Sequence, residues 1–492
     1  MESKLDKLPD DILISIVRLM DFKDAIRTSL TCKNLQGLFA YKPNLNFDGS
    51  SKVFTDHDID RWVKFAQSNE KLFLGSVHRV LASYKEQFMD SFRVRYPLDN
   101  AHGRDIDRWV KFALYKGVKT LELDFSDNQY NLLRIVNSSQ YRLPCSVITS
   151  TLYESRFRLL KCLRLMRVTN ILIQSILSTC TVLERLHVEN CQMSNSLGYE
   201  NFTSKSLKFL VIKGLYVIEG LYSDEFVRIK IEALNLVELE LRGSYHLINI
   251  SAPNLIDISA PNLLEASFGG NYSNILLQNF SHINSFSTHL LKLHLDLNML
   301  RVYGFSNIPT LVNVEDLVLR LTNLRYYAPF YDLITKLLEA CPSLHKARLE
   351  TDWLKTEVDL SSDSDEDGTD WLKTEVDLSS DSDEDGTECS LDDVQEWLED
   401  ENNDGFKPTL PNLRRLEWSG AFRSHFQEEV LVALYIVKNA TKIEKLVFNP
   451  RSLLKFHHSS HPSVVDEEED ISRENVRQLA RVIPKRVEII IL

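Results

Sequence analysis

The sequence predicts an α/β chain: three short helices at the N-terminus, followed by a long array of stacked, strand-bearing repeats. Three observations predict it. One six-residue apolar pattern recurs from residue 118 onward, with neighbouring starts from 160 to 344 mostly 23 to 30 residues apart. The N-terminal helical patterns carry more apolar surface than they can bury among themselves. At 492 residues the chain is also too long for one ordinary compact core, so several domains or an elongated array is expected.

Composition restricts the function classes. Apolar residues make up 43% of the chain and aromatics 10%, enough for extensive burial. The opening Met1-Glu2-Ser3-Lys4 lacks the apolar run of a signal peptide, and no uninterrupted run of about 18 apolar residues exists. The expectation is a protein of the cytoplasm and/or nucleus with no membrane partner. Cysteines at 32, 145, 162, 180, 191, 341 and 389 form no C-x-x-C pair, so free thiols and no zinc site are expected. The net charge of −13 is local in origin. Residues 351–404 hold 22 Asp and Glu against two Lys, a net of −20, while the remainder carries 55 basic and 48 acidic residues, a net of +7. No cluster of Lys and Arg with interleaved aromatics appears, so no nucleic-acid partner is expected.

The first helix is read from Leu8-Pro9-Asp10-Asp11-Ile12-Leu13 onward to Met20. Pro9 suits a first turn, where its missing N–H costs nothing. Asp10 and Asp11 favour the positive end of the helix dipole. Apolar residues at 12, 13, 16, 17, 19 and 20 cover more than half the circumference. A second helix is predicted over roughly Asp24 to Lys33, and a third short piece carries Leu35, Leu38 and Phe39. So small a bundle usually needs a partner, which suggests a module completed by another protein. A helical cap on the end of the array is the alternative.

L-P-D-D-I-L-x-x-I-V, followed by D-x-K-D-A-I-R-T-S-x-x-C-K, resembles a plant-type F-box. The resemblance implies binding to a Skp-type adaptor and, through it, to a cullin. It also implies that Leu8, Pro9, Ile12, Leu13, Ile16, Leu30, Cys32 and Lys33 fall at adaptor-contacting or motif-core positions. Where the family usually continues with a basic-Trp-x-x-Trp stretch, this chain has Asn34-Leu35-Gln36-Gly37-Leu38-Phe39.

The recurring pattern is apolar, two variable, apolar, one variable, apolar. It is met at Val118/Leu121/Leu123, Leu160/Leu163/Leu165, Leu183/Leu186/Val188, Leu207/Leu210/Ile212 and Leu236/Leu239/Leu241. Further matches are Leu263/Ala266/Phe268, Leu290/Leu293/Leu295, Val314/Leu317/Leu319, Leu344/Ala347/Leu349, Leu413/Leu416/Trp418 and Ile443/Leu446/Phe448. The spacing fits the leucine-rich-repeat period of about 20–29 residues. The last two apolar residues of each match lie two apart and share one side of a strand. One unit cannot bury that side alone, but stacked units share a continuous core. Helical or irregular stretches, such as Phe330 to Cys341, are expected between strands. Residues on the other side form a concave stripe that includes Arg185, His187, Glu238, Glu240 and Arg242, then Lys292, His294, Lys346 and Arg348. Its alternating charges suit a protein target more than a polyanion, although a merely solvated face reads the same way.

The whole arrangement resembles the plant F-box/LRR/FBD family. Supporting pieces are Asp105 to Ala113 leading into Gly117 to Leu123, the Ser-Ala-Pro-Asn-Leu string at 251–255 and 259–263, and Leu410-Pro411-Asn412-Leu413 through Lys442 to Leu446. The resulting division is an F-box at 1–47, a connecting segment at 48–117, leucine-rich repeats at 118–350, an acidic insert at 351–407 and an FBD region at 408–492.

Two segments are copied. Asp58 to Ala66 recurs identically at Asp105 to Ala113, and the 18 residues Thr351 to Gly368 recur as Thr369 to Gly386. The second pair is rich in Asp, Glu and Ser and is expected to be disordered. Asp363-x-Asp365-x-Asp367-Gly368 opens like a calcium loop, but Asp370 and Thr374 stand where an apolar residue and a bidentate Glu belong. Ser361, Ser362 and Ser364 are candidate sites for an acidophilic kinase.

No catalytic motif, metal set or cofactor site emerges. The expected function is the substrate-recognition subunit of an SCF-type (Skp-cullin-F-box) ubiquitin ligase, a non-catalytic adaptor that recruits an unidentified protein target. A ligase-independent repeat scaffold and a small-molecule co-receptor are the other readings.

Overall fold

The structure is a computed structural model of the chain. It describes residues 8–31, 35–49, 59–126, 140–144, 158–193, 199–215, 228–243, 256–278, 286–299, 308–324, 330–353, 409–420, 427–450, 472–477, 479–481 and 483–492. They fall into two compact units, Met1–Leu290 and Leu291–Leu492. The architecture is mixed α/β with a helical region at the N-terminus. Among the described residues, no helix is long and apolar enough to cross a membrane.

The first unit opens with α1 (Asp10–Leu19), α2 (Phe22–Thr31) and a 3-10 turn at Leu38–Tyr41. Asp10 and Asp11 occupy the first turn of α1, and Pro9 sits at its N-cap with its carbonyl accepting from Ile12 and Leu13 N–H. The second helix starts earlier than its sequence pattern suggested, at Phe22. The Asp21 carboxylate caps it by accepting from Asp24 N–H at 2.7 Å. Gly37, at φ +78°, makes the left-handed turn into the 3-10 segment.

Among the described residues, a ladder of eight parallel strands follows. They are β1 (Asn44–Asp48), β2 (Ser91–Arg95), β3 (Thr120–Asp124), β4 (Cys162–Met166), β5 (Arg185–Glu189), β6 (Phe209–Lys213), β7 (Glu238–Arg242) and β8 (Glu265–Gly269). Each pairs in register with the next. In every one the second and fourth residues are buried, from Leu45 and Phe47 to Ala266 and Phe268, so rows of apolar side chains stack along the ladder.

The pairing begins earlier than the repeat pattern indicated. Strands β1 and β2 lie in the segment read as the end of the helical module and as a connector. Their matches are Lys42/Leu45/Phe47 and Met89/Phe92/Val94, and in the first a lysine stands where later repeats have leucine. The edge of β1 is covered by α2, whose Phe22 ring meets Phe47 edge-on at 5.1 Å.

Helices α3 (Ile59–Ser83) and α4 (Gly103–Tyr115) hold the two copies of D-I-D-R-W-V-K-F-A. In α4 the copy buries Ile106, Trp109, Val110 and Ala113. The two helices are joined by His102 Nε2 on Glu70 at 2.8 Å and His78 Nε2 on Asp105 at 3.2 Å. Two shorter helices, α5 (Ile173–Thr179) and α6 (Asn271–Gln278), and a 3-10 turn at Asn100–His102 are the other helical elements of this unit among the described residues. Three return segments, Tyr199–Thr203, Arg228–Glu232 and Ile256–Ser259, are not helical or irregular as expected. They form a second parallel sheet in which Phe202, Ile231 and Ile258 are buried in one in-register row.

The turn before many of the strands repeats too. The N–H of the leading apolar residue bonds to the carbonyl three residues back, as in Leu183 to Cys180 and Leu263 to Ala260. Asparagine before that residue links neighbouring turns: Asn235 Nδ2 donates to Lys205 O at 2.6 Å and Asn262 Nδ2 to Leu234 O at 2.8 Å. This explains the recurring Asn-Leu pair in the sequence.

Among the described residues, the second unit has six parallel strands: β9 (Lys292–Asn298), β10 (Asp316–Leu324), β11 (Lys346–Trp353), β12 (Arg415–Ser419), β13 (Lys445–Asn449) and β14 (Glu488–Ile491). They pair in that order. Helices α7 (Phe330–Glu339) and α8 (Gln427–Asn439) meet through Tyr331 and Tyr435, with ring centroids 5.9 Å apart. The boundary at 351 is corrected: β11 continues through Thr351 to Trp353, so the acidic tandem begins inside the sheet. Thr351 is buried there, and its hydroxyl accepts from Trp418 Nε1 at 3.2 Å. The rest of the tandem, with the calcium-loop match and the candidate phosphoserines, lies outside the described residues.

Candidate adaptor-binding site

The α1 helix has two faces of opposite fate. Leu13 and Val17 are buried, each 1% exposed, and form a core with Ala25 and Leu35, against which Met20, Leu38 and Phe39 pack. The third helical piece thus packs through Leu35 and Phe39 where the family carries tryptophans. On the other face, Ile12 is 48% exposed and Leu19 89% exposed, with Leu8 exposed just before the helix and Ile16 half-buried between them. Positions 12, 16 and 19 share one stripe, at i, i+4 and i+7. Leu19 was missed as a site residue from sequence, although this spacing points to it.

The helix is held in place from its C-terminal end. Lys42 is buried at 2% exposure, and its Nζ donates to the carbonyls of Val17 at 3.0 Å, Arg18 at 3.1 Å and Met20. These carbonyls have no partner within the helix, and a cation complements the dipole there. Arg18 donates to the Tyr41 carbonyl at 3.3 Å and pairs with Glu86. The face bearing Ile12 and Leu19 is therefore presented on a fixed helix.

Of the residues expected to serve the adaptor, Leu8, Pro9 and Ile12 face solvent, Ile16 is half-buried and Leu13 is a core residue. Leu30 lies on α2. Cys32 and Lys33 lie outside the described residues.

Comparison with known proteins identifies the N-terminal region. The F-box domain model matches residues 5–46. Three F-box/LRR-repeat proteins of Arabidopsis thaliana are similar to the chain. One is 27% identical over 267 residues, 47% of this chain and 47% of the relative. A second is 25% identical over 277 residues, 51% and 42% respectively, and a third is 27% identical over 251 residues, 48% and 45%. This chain carries an F-box region and is similar to plant F-box/LRR-repeat proteins. It spans about half the length of the curated relatives it matches.

The outward face of the parallel ladders carries the residues expected to meet a target. In the first unit the Arg185 guanidinium stacks over the Phe209 ring at 4.3 Å, and His187 Nε2 lies 2.9 Å from Glu189. That hydrogen bond holds the Glu189 carboxyl below its ordinary range, against the opposing effect of burial. Glu240 pairs with Arg242 at 2.7 Å and Lys213 at 3.1 Å. Glu238 stands in register between Phe209 and Glu265.

In the second unit Lys292 and Lys346 flank Asp316 in one row, and His294 starts the next. Lys346 and Arg348 are brought onto one carboxylate, Glu417, which sequence reasoning had not singled out. Its distances are 3.2 Å to Lys346 Nζ, 2.9 Å to Arg348 Nε and 2.6 Å to an Arg415 terminal nitrogen. Glu417 occupies the variable position between Leu416 and Trp418, which marks it for this face.

Cys180, Cys191 and Cys341 are free and buried, and burial pushes each thiol up to about 12. They act as small hydrophobes and not as nucleophiles.

Proposed function

We propose that the chain is the substrate-recruiting subunit of a Skp–cullin–F-box ubiquitin ligase, acting in the cytoplasm or nucleus. The observation that carries this reading is the apolar stripe Leu8, Ile12 and Leu19, left in solvent by a helix whose other face is fully packed. Burying large apolar side chains of this kind against a partner contributes about 1.5–3 kcal/mol each. A Skp-type adaptor is the partner that an F-box implies, and a cullin follows through it.

The two parallel ladders are then stretches of a leucine-rich-repeat solenoid, and residues 408–492 form the FBD region by sequence resemblance. The outward face of the ladders recruits a protein target. No catalytic side chain is required of this subunit. Holding a target lysine near the conjugating enzyme raises its effective concentration, and proximity does the rest.

The test is coexpression of the full chain with a plant Skp-type adaptor, beside Ile12→Asp/Leu19→Asp and Leu8→Ala/Pro9→Ala variants. Copurification that is saturable and lost in the variants is the expected result. A folded chain that fails to bind the adaptor would overturn the ligase reading and leave a repeat scaffold.

A further inference from the structure

The residue just before the leading position of each repeat changes character along the first unit. In the later turns it is Ser206, Asn235 and Asn262. Each donates to a carbonyl of the turn before: Ser206 Oγ to Leu183 O at 2.9 Å, Asn235 to Lys205 O and Asn262 to Leu234 O. In the earlier turns the same position holds Tyr41, Phe88, Gly117, Leu159 and Val182, with Tyr115 two residues before Gly117. Phe88, Leu159 and Val182 have no side-chain donor for that bond, and they are left in solvent. Phe88, Tyr115, Leu159 and Val182 are 52%, 64%, 41% and 38% exposed.

These turns are neighbours. Met89 N–H donates to Lys116 O at 3.0 Å, Lys161 N–H to Lys119 O at 2.8 Å and Glu184 N–H to Lys161 O at 2.8 Å. One exposed apolar side chain is ordinary, but a row of them on successive turns is a patch that a partner can cover. The charges alongside are already paired: Lys119 with Asp90 at 2.7 Å, and Lys161 and Lys208 with Glu184 at 3.5 Å and 3.1 Å. The strip therefore fits an apolar surface bordered by polar groups. It begins where α1 ends. Arg18, the neighbour of Leu19, donates to the Tyr41 carbonyl at 3.3 Å and pairs with Glu86, two residues before Phe88. From Tyr41 to Val182 are four strand spacings, about 20 Å. Leu8, Ile12 and Leu19 are few for a stable interface, which takes about 800 Å² from each partner. The strip adds apolar area within the same unit.

We propose that the Skp-type adaptor, seated on α1, also covers this strip with an apolar surface of its own, so that the first turns of the ladder are part of the adaptor site. The proposal rests on the ligase reading, and it carries the adaptor contact past the F-box match at residues 5–46.

The test uses the full chain and a plant Skp-type adaptor. Affinity is read by isothermal titration calorimetry, and amide hydrogen exchange of the chain is measured with and without the adaptor. Phe88→Ser/Leu159→Asn/Val182→Asn gives these turns the polar residue types of the later ones and should weaken adaptor binding by about tenfold. In the wild type the adaptor should slow exchange at residues 88–90, 159–162 and 182–185. That measurement needs no variant, so a misfolded variant cannot decide the question. Unchanged affinity in the triple variant, or no slowing at those turns, would overturn the proposal. If Ile12→Asp/Leu19→Asp abolishes binding in the same series, the ligase reading survives that outcome. A folded wild type that does not bind the adaptor sinks both. Sedimentation of the wild type alone as a dimer, which the triple variant dissociates, would also overturn the proposal and assign the strip to a second copy of the chain.

Discussion

The Lys42 ammonium donates to the Val17 carbonyl at 3.0 Å, across 25 residues of sequence, from a position where later repeats carry a buried leucine. One side chain thereby ties the last turn of α1 to the start of the first strand. Burial pulls its pKa below the ordinary lysine range, and Asp21 opposes that pull. Lys42→Met keeps the volume but leaves the terminal carbonyls of α1 without their donor. The expected cost is about 1–3 kcal/mol. It should appear as faster hydrogen exchange of the α1 amides, with the strands of the second unit unaffected. Unchanged exchange would show that water satisfies those carbonyls.

The two faces of α1 should separate stability from binding. Ile12→Asp and Leu19→Asp change exposed positions, and each should alter stability by no more than about 0.5 kcal/mol while abolishing adaptor copurification. Leu13→Ala empties a core position and should cost about 2–5 kcal/mol. Urea unfolding followed by circular dichroism, beside the pull-down, distinguishes the two classes.

The pH response of the second unit follows from Glu417. Burial raises its pKa, but hydrogen bonds from Arg348 and Lys346 outweigh that and hold it below the ordinary 4.5. A carboxylate depressed in the folded state binds its proton more weakly than in the unfolded chain. It therefore contributes stability above the ordinary pKa, and that contribution is lost as pH falls from there through the folded value. Wild type should lose thermal stability below about pH 4.5 more steeply than Glu417→Gln. Parallel curves in a melting series across that range would refute the assignment.

Gly420 ends β12 at φ +137°, where a Cβ would overlap the Thr351 carbonyl and hydroxyl. Gly420→Ala should cost about 1–3 kcal/mol through strain and push Thr351 away from Trp418 Nε1. The change should appear as a lower melting temperature with a shifted tryptophan emission. An unshifted melting temperature would mean that the backbone there relaxes freely.

Much of the fold was legible because it rests on local periodicity. The last two apolar residues of each match, from Leu121 and Leu123 to Leu446 and Phe448, lie on strands and are buried. A period of two within each strand fixes which side is apolar, and the repeat length fixes how strands stack. Strand β1 escaped notice because Lys42 breaks the apolar pattern at the leading position, whereas Met89/Phe92/Val94 of β2 fits the pattern and was passed over. The back sheet at 199–259 escaped because short apolar runs do not distinguish a strand from a helix.

The sequence by itself determined the F-box motif, the repeat and the side of each strand that enters the core, since these depend on spacing along the chain. Only the tertiary structure decided that Leu13 is covered while Ile12 and Leu19 are not, because all three are equally apolar and packing against Ala25 and Leu35 chooses between them. Only the tertiary structure, too, brought Lys346 and Arg348 onto Glu417, 69 residues beyond Arg348. Strand pairing in register sets that meeting, and no local pattern records which distant strand becomes the neighbour.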